Sequence, residues 1–150
     1  MGYSPRVKYT WVLAAAAVLA GCPSDDPPAC ITVDTTCAPG YVPTFDNVYK
    51  NTLNVSCGNT NSSCHSAVGH MAGLSFQDEQ TAYTDLLAPS SIDPGRKRVD
   101  PGDAACSVMI VRTDSPGASY QMPIGDPLPL VERCALIQWV QNGALAGSAQ

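Results

Sequence analysis

The sequence predicts a small all-α domain with long loops. Apolar residues recur at helical spacing in several segments, whereas no convincing period-two alternation typical of a strand is present. Proline and glycine are concentrated between those segments, with 13 Pro and 12 Gly among 150 residues. Both residue types interrupt regular structure, so the connections are expected to be loops rather than further helices.

The first 21 residues are predicted to be a signal peptide. Arg6 and Lys8 form a basic start, and residues 9–21 form an apolar run that is shorter than the ~20 residues a membrane-spanning helix needs. The run ends in Leu-Ala-Gly-Cys, which resembles the lipobox of bacterial lipoproteins and predicts cleavage before Cys22 and lipid on its thiol. The alternative is an ordinary secretion signal, with Cys22 in a disulfide.

Composition restricts what the mature chain can be. Cleavage before Cys22 leaves 129 residues, enough for one domain, and changes the formal net charge from −5 to −7. An acidic chain argues against nucleic acid as a partner and against electrostatic docking on anionic lipid. Seven cysteines indicate an oxidising compartment. Without Cys22 six remain, enough for three disulfides or for two disulfides and two cysteines with another role.

Residues 22–43 are predicted to be a lipidated, flexible tether, because proline, serine, threonine and aspartate dominate this stretch. Cys30 and Cys37 enclose six residues with no histidine after them. This spacing favours a local disulfide over a metal site. The core domain is expected to cover residues 44–150.

Four helices are predicted in the core. The first begins after Thr44, a candidate N-cap, and presents an apolar face of Phe45, Val48, Tyr49 and Leu53. The second runs from Asp78 to Leu87, with Ala82, Tyr83, Leu86 and Leu87 inward, and the third from Ala104 to Arg112, presenting Val108, Met109 and Val111. The last starts at Leu130 and ends in a C-cap at Asn142-Gly143, with residues 130, 134, 137 and 140 apolar. Residues 115–129 hold four prolines and form an extended loop.

The most informative chemistry lies at Cys64-His65. A haem c is attached through two cysteine thiols, and the histidine after the second cysteine ligates the iron, usually as Cys-x-x-Cys-His. Here six residues separate Cys57 from Cys64, and Met122 in the later proline-rich loop is a candidate second axial ligand. A Cys57–Cys64 disulfide, with His65 solvated and Met122 filling the core, explains the same residues. The residues alone leave both interpretations open.

A series of short motifs follows in order along the chain: Cys57…Cys64-His65, Ala72-Gly73-Leu74, Ala82-Tyr83…Leu86, Val99-Asp-Pro-Gly-Asp103, Met122-Pro-Ile-Gly125 and Cys134 through Ala144. Their order resembles that of the cytochrome c-like domains in exported lipoproteins of myxobacteria and planctomycetes. The resemblance covers about residues 45–144. It implies a cytochrome c fold whose first and last helices cross, with Phe45, Tyr49, Ile137 and Trp139 as candidates for the crossing. It also favours one haem c, with thioethers to Cys57 and Cys64 and axial ligands His65 and Met122.

Cys106, Cys134 and His70 are the remaining candidate residues, and two enzyme classes are disfavoured. Cys106 and Cys134 are predicted to bond to each other, since no histidine follows either. His70 is an alternative sixth ligand or a solvated loop residue. Both histidines lie in one short segment and no Gly-x-Ser-x-Gly motif is present, which argues against a hydrolase. A haem peroxidase is disfavoured because Met122 would occupy the position that a substrate needs.

The sequence therefore predicts a monohaem c-type cytochrome that carries single electrons and is held by lipid in the cell envelope. The outer membrane is favoured, because Pro23 after Cys22 is not an acidic retention signal. The redox partner is not identified. The alternative is a haem-free, disulfide-stapled domain of the same fold that acts in binding or structure.

Overall fold

The computed structural model describes residues 26–58 and 64–147. The predicted signal peptide and Cys22 lie outside these residues, so cleavage and lipidation stay predictions. The described residues form four α-helices and no strands, joined by long loops. The helices are α1 (Phe45–Val48), α2 (Glu79–Leu87), α3 (Val108–Thr113) and α4 (Leu130–Gln141). The all-α prediction is confirmed at this level.

Helix α1 begins as predicted and then changes its winding. The Thr44 hydroxyl accepts a hydrogen bond from the Asn47 N–H at 3.4 Å and caps the helix. From Tyr49 to Cys57 the chain continues as a π-helix, which the sequence pattern did not predict. The expected apolar face is buried all the same, at Phe45, Val48, Tyr49 and Leu53. Because π-turns are often found at functional sites, the position of Cys57 at the end of this segment is informative.

Helix α4 packs against α1 and supplies much of the core. The rings of Phe45 and Trp139 lie 5.2 Å apart between centroids. The helix ends as predicted at Asn142, and Gly143 follows with a φ of +96°, a conformation that favours glycine. Residues 134, 137 and 140 are buried as expected, but Leu130 is 63% exposed. Leu130 belongs to the predicted apolar face but is the first residue of the helix and is not buried.

Local hydrogen bonds determine where helices α2 and α3 begin. Asp78 caps α2 by accepting from the Thr81 N–H at 2.9 Å, and the predicted inward residues Ala82 and Leu86 are buried. Helix α3 begins four residues later than predicted. The Asp103 carboxylate accepts from the Cys106 N–H at 3.1 Å, and its carbonyl accepts from the Ser107 hydroxyl at 2.7 Å. These bonds hold the chain before α3 in a turn.

The predicted disulfide pairing is wrong. All four expected cysteines are bonded, but Cys30 pairs with Cys106 and Cys37 pairs with Cys134. Neither the Cys30–Cys37 bond nor the Cys106–Cys134 bond forms. Each observed bond joins the N-terminal segment to a distant part of the core, a relationship that spacing along the chain does not reveal.

Residues 26–43, called the N-terminal strap below, lack regular secondary structure as expected, but the strap is not a flexible tether. The Ile31 N–H donates to the Ala105 carbonyl at 2.9 Å, and the Gly40 N–H to the Val131 carbonyl at 3.0 Å. The apolar side chains of the strap, Ile31, Val33 and Tyr41, pack on the core. Apolar burial and two disulfides therefore hold a segment that composition predicted to be a flexible tether.

The disulfides bear on the compartment of the domain. Disulfides persist in oxidising environments, so the two bonds indicate a domain outside the cytoplasm. Within residues 26–58 and 64–147, no helix is long and apolar enough to cross a membrane.

Candidate cofactor site

A cavity of about 650 Å³ brings together the residues that the sequence singled out. Its wall includes Cys57, Cys64, His65 and Met122, which come from the end of the π-helix, the following loop and the loop before α4. The volume falls in the range of ~300–1,000 Å³ typical of cofactor and small-molecule sites. Much of the wall is apolar, formed by Leu53, Leu74, Phe76, Leu86, Leu128 and Leu136.

Cys57 lies in the cavity wall next to a residue, Gly58, that is packed closely against Phe76. The next residue is Gly58, and a Cβ on Gly58 would collide with the Cβ of Phe76. The Gly58 N–H also donates to the Leu53 carbonyl at 2.9 Å, which closes the π-helix. Burial, with smaller contributions from Glu132 and Cys64, raises the pKa of the Cys57 thiol to about 12. Cys57 is thus set into the wall, whereas Cys64 is exposed at its edge.

His65 is held by its backbone and by an aromatic neighbour. Its carbonyl accepts from the Phe76 N–H at 2.7 Å, and the two rings lie 5.3 Å apart between centroids. Burial lowers the pKa of His65, and the backbone of Leu74 and Met71 offsets this only in part. The imidazole is therefore favoured in its neutral form, the form that ligates metals.

One nitrogen of His65 is left unsatisfied. Nδ1 is buried and has no hydrogen-bond partner among the described residues. Buried polar atoms normally find a partner in protein, water or ligand. An unpartnered ring nitrogen on a residue of the cavity wall is consistent with a site that a ligand or water completes.

Met122 is presented by a loop with its own hydrogen-bond network. Its N–H donates to the Arg112 carbonyl at 2.9 Å, so the loop is tied to α3. The adjacent Gln121 is only 7% exposed and bonds to backbone atoms of Gly117, Pro123 and Gly125. Sequence reasoning missed Gln121. A polar residue beside a candidate ligand in a proline-rich loop was the available signal.

Three arginines also line the cavity, and the sequence analysis missed them as site residues. Arg96, Arg98 and Arg112 make up a large share of the eight basic residues in the chain. All three donate to backbone carbonyls: Arg96 to Ala29 at 2.8 Å, Arg98 to Asp85 and Ala72 at 2.8 Å each, and Arg112 to Tyr120 at 3.3 Å. The Asp93 carboxylate lies 3.9 Å from Nε of Arg96. The apolar cavity therefore has cationic groups in its wall.

His70 is placed differently from the other candidates. It is exposed and does not line the cavity. Its Nε2 lies 4.0 Å from a carboxylate oxygen of Asp85. Of the two candidates for the second axial ligand, the structure brings Met122 to the cavity and not His70.

The donor groups of the cavity wall come from four side chains. In the described part of the chain, no group of three or more His, Cys, Asp or Glu side chains could hold a metal ion. One imidazole, one thioether and two cysteine thiols around an apolar space suit a ligand that brings its own metal. The donor set and the cavity thus fit a haem attached through cysteine.

No family model matches this sequence, and comparisons with curated proteins and with solved structures find no similar protein.

Proposed function

We propose that this protein is a monohaem c-type cytochrome that carries single electrons in the cell envelope. One observation carries the proposal. Cys57, Cys64, His65 and Met122, chosen from the sequence for their chemistry, line one cavity although Met122 is distant from the others along the chain. A domain that is only stapled by disulfides has no need to bring these four side chains into one cavity.

Each residue has a distinct role in the proposed site. Cys57 and Cys64 provide the thioethers, His65 the proximal ligand and Met122 the distal ligand. The haem, when bound, supplies an iron that gains and loses one electron. His65 favours the neutral form that ligates iron, and Met122 offers a soft thioether that raises the reduction potential towards that of electron carriers. The apolar wall limits access of water.

The arginines support a cofactor of this class. A haem has an apolar body and two carboxylate groups, so it needs both an apolar wall and cationic partners. The wall of this cavity includes Arg96, Arg98 and Arg112 alongside its leucine side chains. Guanidinium groups are well suited to carboxylates because they offer several donors in a fixed plane.

A haem-free binding protein is the second candidate, and the two disulfides favour it. They stabilise the fold without any cofactor, and the same cavity suits an apolar molecule that carries an acid group. In that case Cys57 and Cys64 have no thioether role, and the protein carries no electrons.

The proposed location follows from the N-terminus together with the disulfides. Lipid on Cys22 would hold the domain at a membrane of the cell envelope, with the outer membrane favoured. The disulfides agree with an oxidising compartment. The redox partner is proposed to be another protein or carrier of the envelope.

The function is tested in a bacterial host that matures c-type cytochromes. A thioether-linked haem survives denaturation, so the denatured chain should keep a haem mass and a pyridine haemochrome band. Cys64→Ala should abolish retention of haem, and Cys57→Ala should leave one thioether or none. Cys22→Ser, which leaves the cavity intact, should keep the haem. Absence of a Soret band, together with a Cys57–Cys64 disulfide in the unreduced digest, would replace the electron carrier by the haem-free binding protein.

A further inference from the structure

We propose that the mouth of the cavity is held against the surface of the bilayer that anchors Cys22. The occupant of this docking surface is the phospholipid headgroup layer itself. The inference rests on the lipid anchor of the proposed function and adds an orientation to it. In this orientation the site faces electron partners at the membrane surface rather than proteins that diffuse in the envelope.

The first step is the path of the N-terminal strap. Asp26 and Pro27, its first residues, line the cavity. Just beyond them, Arg96 donates to the Ala29 carbonyl at 2.8 Å, and Cys30 is bonded to Cys106. The strap is therefore attached to the core close to its first residue, beside the cavity.

The second step is the reach of the chain between the anchor and the strap. Only three residues separate Cys22 from Asp26. An extended chain covers at most ~3.6 Å per residue, so Asp26 lies within ~14 Å of the lipidated residue. A domain of this size has a radius of gyration of ~14 Å. The anchor is thus too short to let the cavity side of the domain turn far from the bilayer.

The third step is the character of the cavity mouth. Ile92 and Ile124 line the cavity but are 69% and 82% exposed, which places them at its rim. Asp26 and Asp93, also exposed, lie in the same wall as Arg96. A rim with apolar side chains and charges of both signs suits a zwitterionic headgroup layer, whose surface carries both signs as well.

The inference can be tested by hydrogen exchange with mass spectrometry. The full lipidated protein in phosphatidylcholine vesicles is compared with Cys22→Ser in solution at equal haem content. Residues 26–29, 91–97 and 122–126 should gain protection in the vesicles. Replacing Ile92 and Ile124 by Ser should remove much of this gain, whereas Leu145→Ser, a matched change at an exposed residue that does not line the cavity, should not.

A spacer variant tests the short anchor itself. A flexible Gly/Ser insertion of about 20 residues before Asp26 has a mean reach of roughly 25 Å, so the protection should be lost while the protein stays membrane-bound. The inference is overturned if the lipidated wild type gains no protection at the three segments, or if the spacer variant keeps it. The intact mass of the protein distinguishes a failure of the proposed lipid anchor from a failure of the proposed orientation. Absence of acyl mass means that the anchor is wrong, whereas acyl mass without protection means that only the orientation is wrong.

Discussion

Nε2 of Gln121 donates to the carbonyl oxygen of Pro123 at 2.9 Å, so the residue before Met122 is bonded to the residue after it. The same amide donates to the Gly125 carbonyl at 2.9 Å and accepts from the Gly117 N–H at 2.6 Å. One amide group thus satisfies three backbone atoms of the loop. The backbone around Met122 is held without any contribution from a cofactor.

Replacing Gln121 should loosen the distal ligand. Gln121→Glu keeps the size of the side chain, but a carboxylate cannot donate to the two carbonyls. We expect the free energy of unfolding to fall by ~1–3 kcal/mol, and the reduction potential of the haem protein to fall because Met122 is held less well. Urea unfolding and potentiometric titration measure these effects. Asn54→Asp, the same amide-to-acid change at an exposed position, is the control, and an unchanged potential in Gln121→Glu would contradict the role.

Substitutions of Met122 and of His70 should affect the reduction potential differently. Met122→Ala should keep the haem attached but lower the potential by on the order of 0.1 V, since axial ligands shift haem potentials over ~0.8 V and a thioether favours ferrous iron. His70→Ala should leave the potential unchanged, because His70 does not line the cavity. Potentiometry of the two variants decides between the ligands. A fall in His70→Ala alone would make His70 the ligand.

Gly58 should not tolerate a side chain. Its position against Phe76 leaves no room for a Cβ, so Gly58→Ala should shift the backbone beside Cys57 and cost ~1–3 kcal/mol. We also expect less haem attachment through Cys57, which the ratio of haem-bearing to bare chain in intact mass spectra reports. Gly95→Ala is the control, because its nearest neighbouring atom lies 3.5 Å away. Equal effects of the two variants would argue against the close contact.

The disulfide pairing is testable by peptide mapping without reduction. Two linked pairs should be recovered, Cys30 with Cys106 and Cys37 with Cys134. Replacing both cysteines of the first pair by Ser should lower the free energy of unfolding by ~2–5 kcal/mol, since the bond closes a long loop of the unfolded chain. Recovery of a Cys30–Cys37 peptide would instead support the local disulfide that the spacing suggested, and the strap would then have no disulfide to the core.

Asp78 should make stability depend on pH in acid. Hydrogen bonds from Thr81 lower the pKa of Asp78 below 3.8. The ionised carboxylate therefore stabilises the fold at pH values above 3.8, and this contribution is lost as the pH falls through the lower folded-state pKa. Asp78→Asn keeps an acceptor for the cap but removes the charge, so its urea-unfolding free energy should change less between pH 5 and pH 2. If the free energy of unfolding changes equally with pH in the wild type and in Asp78→Asn, the Asp78 charge makes no such contribution.

The success and failure of the sequence predictions follow the range of the interactions involved. The cap at Thr44 and the helix end at Asn142-Gly143 were placed correctly, because a cap bonds within a few residues of its own position. The start of α3 was missed because Asp103 and Ser107 bond locally to hold a turn where apolar periodicity indicated a helix. Leu130 lies on the predicted apolar face but is exposed, because periodicity identifies a face of a helix and not how far the core extends along it.

The candidate site divides in the same way. The donor residues could be chosen from the sequence because thiol, imidazole and thioether chemistry belongs to the side chains themselves. Arg98 and Gln121 could not be chosen, since their relevance depends on lying in or beside a cavity that forms only in the fold.

By itself, the sequence determined the helical class, the cap at Thr44, the helix end at Asn142-Gly143 and the chemical groups available to a cofactor, because these depend on side-chain identity and on bonds between near neighbours. Only the tertiary structure decided that Cys30 bonds to Cys106 and Cys37 to Cys134, that the strap lies on the core and that Met122 shares a cavity with His65. Each of these joins parts of the chain that are far apart in sequence. Such contacts depend on which apolar surfaces bury each other, and hence on the packing of the whole chain.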